Sequence, residues 1–255
     1  MDLHLPGRKA IITGGSRGIG LAIASHLAAE KVDVAICARN QEQIDVAVGQ
    51  LAAQGVRAFG GSVDVSDADT YRAWLASAIA ELGGLDIFVA NVALPAQGGG
   101  DASWYTPFDI DLMHAVRGLE AVEGALAASD AGSVVLISSV SANLNEVEPG
   151  GEAYGALKAA MVSYMSQKAQ HLGPQGTRVN AVSPGPIYFE GGFWAEVEEE
   201  DPETFAFVSE LAALGRMGTD VEVARLVTFL ASPAAGYITG ANVRIDGGAV
   251  KSVNF

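Results

Sequence analysis

The chain has 255 residues, 49% of them apolar, and one cysteine. It is long enough to bury a sizeable core, but it can form neither an intrachain disulfide nor a cysteine metal cluster. Its net charge of −15 argues against nucleic acid and anionic membrane as partners, since both select basic surfaces.

No apolar run approaches the roughly 20 residues needed to cross a bilayer. The start, MDLHLPGRKAII, lacks the pattern of a signal peptide, so a soluble, cytoplasmic protein is expected. The four histidines show no metal-ligand spacing, and no metal is expected.

Runs rich in Val, Ile and Ala at 9–13, 32–38, 56–65, 85–91, 133–139, 177–184 and 241–246 predict strands buried on both faces. Amphipathic stretches at roughly 18–30, 41–54, 67–82, 104–128, 153–172 and 220–231 predict helices between them. Strand and helix in alternation predict an α/β fold: a doubly wound, seven-stranded parallel sheet of the Rossmann type with helices on both faces. Such a sheet uses the whole chain, so 1–255 is read as one domain.

The first strand runs into TGGSRGIG, residues 13–20, and then a helix. Gly14, Gly18 and Gly20 stand where a backbone must turn tightly and let a pyrophosphate approach the helix N-terminus. An acid about 18–20 residues further on would bind the ribose hydroxyl of NAD. The chain reads Cys37–Ala38–Arg39–Asn40 there, and Asp33 lies at the wrong end of the strand. Arg39 with Arg17 suits a 2′-phosphate instead, which favours NADP over NAD.

The fifth predicted strand delivers Ser138, Ser139 and Ser141 to the carboxyl edge of the sheet, where ligands sit. On the next helix, Tyr154 and Lys158 share one face at i and i+4. A cation beside a phenol favours phenolate and fits the phenol for proton exchange with a carbonyl or alcohol oxygen. A serine hydroxyl beside it would polarise the same oxygen.

Together these motifs resemble the short-chain dehydrogenase/reductase family, in its branch of about 250 residues, over essentially the whole chain. TGGSRGIG is similar to the family's cofactor loop, Asp64–Val65 to its adenine contact, and ISSVSA with YGALK to its catalytic serine and Tyr-x-x-x-Lys. RVNAVSPGPI (178–187) and ITGANVRIDGG (238–248) are similar to its last two strands.

The resemblance implies Tyr154 as general acid/base, Lys158 on the nicotinamide ribose and Ser139 orienting the substrate oxygen, with Ser141 a lesser candidate. It also implies cofactor contacts from Gly14, Ser16, Arg17, Gly18, Ile19, Gly20, Arg39, Asp64, Val65, Asn91, Tyr154, Lys158, Pro184, Gly185 and Ile187. A homotetramer is implied, built through the helices 104–128 and 153–172.

The chain departs from the family at three places. Ala93 replaces a glycine after the fourth strand. Asp111 stands in the segment of an asparagine joined through water to the lysine; a carboxylate there would partly neutralise the lysine's field at Tyr154. Phe189 replaces a threonine near the cofactor, removing a hydroxyl and adding an aromatic wall. His114, one turn beyond Asp111, is read as an interface or packing residue.

The segment 188–214 is where the family builds a substrate lid. It carries Tyr188, Phe193, Trp194, Phe205 and Phe207, with Gly191 and Gly192 as a hinge. Its acidic run, 196–203, is expected to be a solvated helix end or mobile loop. Without clustered Lys or Arg there, an apolar or aromatic small-molecule carbonyl or alcohol is the expected substrate. Leu94, Pro95 and the glycines to Gly100 would form the opposite wall.

The leading expectation is an NADP-dependent oxidoreductase interconverting a hydrophobic ketone and its secondary alcohol. The alternatives are reduction of a 3-oxoacyl thioester, which would need a basic surface for its carrier, and a dinucleotide-binding regulator without catalysis.

Overall fold

The computed structural model describes residues 2–94, 100–144 and 151–252. In chain order the elements are β1 (Lys9–Thr13), α1 (Gly18–Ala29), β2 (Asp33–Ala38), α2 (Gln41–Ala52), β3 (Ala58–Ser62), α3 (Ala68–Leu82) and β4 (Ile87–Ala90). Then come α4 (Ala102–Pro107), a π-helical turn (Phe108–Met113), α5 (His114–Ala127), β5 (Ser133–Ile137), α6 (Glu152–Leu172) and β6 (Arg178–Pro184). The remainder is β7 (Ile187–Tyr188), α7 (Phe193–Glu200), α8 (Pro202–Leu211), β8 (Gly218–Thr219), α9 (Asp220–Ala231) and β9 (Asn242–Ile245).

Seven strands form one sheet in the order β3-β2-β1-β4-β5-β6-β9, and every pairing is parallel. The order reverses between β1 and β4, so a crevice opens beyond their carboxyl ends. Register carries that edge across the sheet: Ile12 pairs with Val89, Val89 with Val135, and Val135 with Asn180.

Alternation along the strands feeds two cores. Ile12, Ile36, Val89 and Val135 pack under α1, α2 and α9 with Ile23, Leu27, Ile44 and Val227. Ile11, Ala35, Phe88 and Leu136 face the other way, with Tyr71, Leu75, Leu119, Met161 and Met165 of α3, α5 and α6. Both strand faces are apolar because both are covered.

Two expectations are corrected in detail. The strand expected over 56–65 stops at Ser62, where the chain leaves the sheet toward the glycine turn. The helix expected over 104–128 is broken by the π-turn that follows Pro107. The segment 188–214 holds the end of β7, α7 and α8, and the acidic run 196–203 forms the end of α7 and the start of α8, the helix end that was one of its two expected forms.

Candidate active site

The turn after β1 can be built only from small residues. Gly14 and Gly18 have φ of +65° and +53°, a region glycine enters without penalty. A Cβ on Gly20 would collide with the Gly14 carbonyl oxygen. Asn91, at the end of β4, fixes the turn from the side: its backbone N–H donates to Thr13 Oγ1 (2.9 Å) and its Nδ2 to the carbonyls of Thr13 (3.1 Å) and Gly14 (3.2 Å). The first turn of α1 carries no acid, so its N-terminal N–H groups face the cleft without a competing anion.

A cleft of about 520 Å³ runs along this edge. Among its lining residues are Gly14, Ser16, Arg17, Gly18, Ile19, Gly20, Arg39, Asp64, Val65, Asn91, Ala93, Leu94 and Phe189. Asp64 is held below the usual carboxylate range, first by hydrogen bonds from Ser66 and further by the charge of Arg39. Ala38, Asn40, Gln43 and Ile110 also line the cleft. The sequence reading missed them as site residues, although Asn40 carries a helix-start signal: its Oδ1 accepts from Gln43 N at 3.0 Å.

A second cluster lies where β5 meets α6. Ser139 caps the short 3₁₀ turn Val140–Asn143, accepting from Ser141 N at 3.1 Å and donating to Ser141 Oγ at 3.1 Å. Ser138 is turned away, its hydroxyl donating to the Lys158 carbonyl at 3.0 Å. Gly155 lets α6 close on this turn, since a Cβ there would stand 2.9 Å from the Ser141 carbonyl.

Lys158 is fully buried. Its ammonium lies 5.4 Å from the centre of the Tyr154 ring, donates to the Ile137 carbonyl at 3.3 Å and pairs with Asp111 Oδ2 at 3.4 Å. Asp111 Oδ1 accepts from Leu94 N at 2.8 Å. Burial raises the Asp111 pKa, while Lys158 and the Leu94 N–H pull it down. His114, one turn on, is fully buried and has its pKa pushed down to about 3, first by desolvation. Its Nδ1–H donates to the Ile110 carbonyl at 2.5 Å. It is a packing residue inside the subunit.

A family model described as enoyl-(acyl carrier protein) reductase matches residues 14–250. Isoepoxydon dehydrogenase of Penicillium expansum is 34% identical over 247 residues, covering 96% of this chain and 95% of its own. The chain belongs to the short-chain dehydrogenase/reductase family.

Two solved members of this oxidoreductase family superpose closely. An NADPH-bound oxidoreductase of Pseudomonas aeruginosa, described as containing an atypical catalytic center, gives a TM-score of 0.89 at 29% identity, covering 96% of this chain and 98% of that one. An NAD⁺-bound xylitol dehydrogenase gives 0.88 at 25% identity, covering 96% and 99%.

Against the family pattern, Gly14, Ser16, Arg17, Gly18, Ile19, Gly20, Arg39, Asp64, Val65 and Asn91 gather in one cleft, together with Leu94. Pro184 ends β6, and Gly185 and buried Ile187 follow it, with Gly185 N bonded to the Ile245 carbonyl at 2.9 Å. Ser141 lines a separate shallow depression with Leu144, Gly155 and Ala156.

Phe189, expected near the cofactor as an aromatic wall, lines the cleft and lies on the glycine turn. A Cβ on Gly18 would meet its ring at 2.7 Å, and one on Gly192 at 2.6 Å. The reason is a tight turn in which Gly192 N donates to the Phe189 carbonyl at 3.0 Å. Arg17 Nη1, at 3.5 Å from the Gly191 carbonyl, joins the same corner to the glycine turn.

The aromatics of 188–214 pair with one another: Tyr188 edge-on to Phe205 at 5.9 Å and Phe193 to Trp194 at 5.1 Å. Phe193 and Phe207 are exposed. The expected wall from Pro95 to Gly99 lies outside the described residues.

Proposed function

We propose that the protein is an NADP(H)-dependent oxidoreductase that interconverts a hydrophobic or aromatic ketone and its secondary alcohol. The observation that carries this reading is the buried Lys158 ammonium 5.4 Å from the Tyr154 ring centre, beside the serine-bearing end of β5.

The residues fit a dinucleotide. A glycine turn without room for a side chain and an acid-free helix N-terminus suit a pyrophosphate, and Arg17 and Arg39 in the same cleft suit a 2′-phosphate. When bound, the nicotinamide supplies the hydride in reduction and receives it in oxidation.

The protein's own part is proton transfer and orientation. The Tyr154 phenol gives its proton to the carbonyl oxygen in reduction and takes one from the alcohol in oxidation. The Ser139 hydroxyl donates to the same oxygen, and Lys158 holds the ribose. The segment 188–214, with its paired aromatics, forms an apolar cover over the substrate.

The test follows nicotinamide absorbance with NADPH and NADH over a panel of aryl and alkyl ketones. Turnover with NADPH in the wild type is expected to fall by at least a thousandfold in Tyr154→Phe, with dinucleotide binding retained, on the order of or beyond the usual worth of a general acid. Equal turnover by the variant would overturn the assignment of Tyr154.

A further inference from the structure

We infer that Asp111 is a positioning residue that makes the Tyr154–Lys158 site charge-neutral and so sets the pH range over which Tyr154 exchanges its proton, a conclusion that rests on the oxidoreductase reading above. The π-turn Phe108–Met113 sets up the geometry. Asp109 stays at the surface, paired with Arg117 at 2.7 Å, while Asp111 points inward. One carboxylate oxygen faces Lys158 Nζ at 3.4 Å, with both side chains 1% exposed. The other accepts the Leu94 N–H at 2.8 Å. The carboxylate therefore ties the lysine to the backbone that ends at the cleft wall.

A lone ammonium beside a phenol favours the phenolate, the form that oxidation requires. With the Asp111 carboxylate 3.4 Å away, the ammonium presents a dipole, whose field falls off faster, and both side chains are 1% exposed, so water screens neither charge. In reduction the phenol serves as the proton donor. In that step a hydride from a reduced nicotinamide dinucleotide adds to the carbonyl carbon. The C=O π pair moves to oxygen, the phenolic proton joins that oxygen, and the phenolate recovers a proton from solvent.

Other charges around the pair do not alter this balance. His114 on α5 is held neutral by its burial, and Arg117 is engaged by Asp109. The groups offered by the end of β5 and its turn are Ser138, Ser139 and Ser141, none of them charged, and the β6 side chains packed with α6 include the apolar Val179 and Ala181. Tyr105 of α4 and Glu152 at the start of α6 are exposed. Stability alone does not account for the pair, because buried ion pairs are often replaceable by apolar groups without loss.

Two variants separate charge from position. Asp111→Asn keeps an acceptor for Leu94 N and removes the charge; Asp111→Ala removes both. Each is compared with its Tyr154→Phe counterpart by absorbance titration of the phenol, with circular dichroism as the check of folding. The same proteins are assayed for ketone reduction and alcohol oxidation across pH.

The expected result is that both variants ionise the phenol at lower pH, by about one pH unit, a tenfold change in the phenolate fraction. The acid limb of oxidation moves with it, and Ala alone raises KM through the freed Leu94 backbone. An unmoved titration and limb in folded Asn and Ala variants would overturn the proposal and leave Asp111 a structural residue. Wild-type protein that turns over no ketone or alcohol defeats the oxidoreductase reading instead, while the titration still decides the role of the charge.

Discussion

At the residue scale, His114 has a measurable consequence for acid stability. Its imidazole is buried, with Nδ1 bonded to the Ile110 carbonyl and Nε2 unpartnered. Its pKa, lowered from 6.5 to about 3, means that the folded state binds fewer protons than the unfolded chain between those values. Stability from this group is therefore complete above the unfolded pKa and is lost as pH falls toward 3. The slope approaches ~1.4 kcal/mol per pH unit for one proton. Urea melts from pH 7 to 4 on wild type and His114→Gln are expected to show the shallower decline in the variant, whose amide can still donate to Ile110. Parallel curves would contradict the buried neutral imidazole.

At the element scale, the β1–α1 turn is the least forgiving part of the molecule. Gly20→Ala would drive a Cβ into the Gly14 carbonyl, backbone against backbone, and no rotamer change relieves that contact. The expected cost is about 1–3 kcal/mol of stability, with dinucleotide binding lost because Asn91 no longer holds the turn in register. Calorimetric melting and fluorescence titration with NADPH check the two effects. The glycine pattern was legible in the sequence because turn chemistry is local. The π-turn was not: apolar periodicity across 104–128 reads as one helix, and the break is set by Pro107 and by where α5 must lie against α6.

At the scale of the whole molecule, the sheet order creates the crevice beyond the carboxyl ends of β1 and β4, and a ligand seated there stabilises the entire fold by mass action. A ligand at 100 times its Kd contributes about 2.7 kcal/mol. NADPH is expected to raise Tm more than NADH at equal concentration, and Arg39→Ala to erase the difference; a larger shift with NADH would overturn the NADP preference. Thermal melts with each dinucleotide settle it.

Strand and helix alternation, the glycine turn, Tyr154 and Lys158 at i and i+4, and Arg39 in place of an acid were all fixed by short-range pattern. Each depends on residues close in the chain, so the sequence by itself determined the fold class and family and the candidate reacting groups. Contacts between distant segments were decided only by tertiary structure. The resemblance had already put Asp111 near Lys158, 47 positions away; that the two meet as a direct ion pair at 3.4 Å came only with the packing of the π-turn against α6. The ring of Phe189, expected near the cofactor, packs on Gly18 itself because the Phe189–Gly192 turn folds back on it. Side chains take their roles from the neighbours that packing assigns, and those neighbours are absent from any local window of sequence.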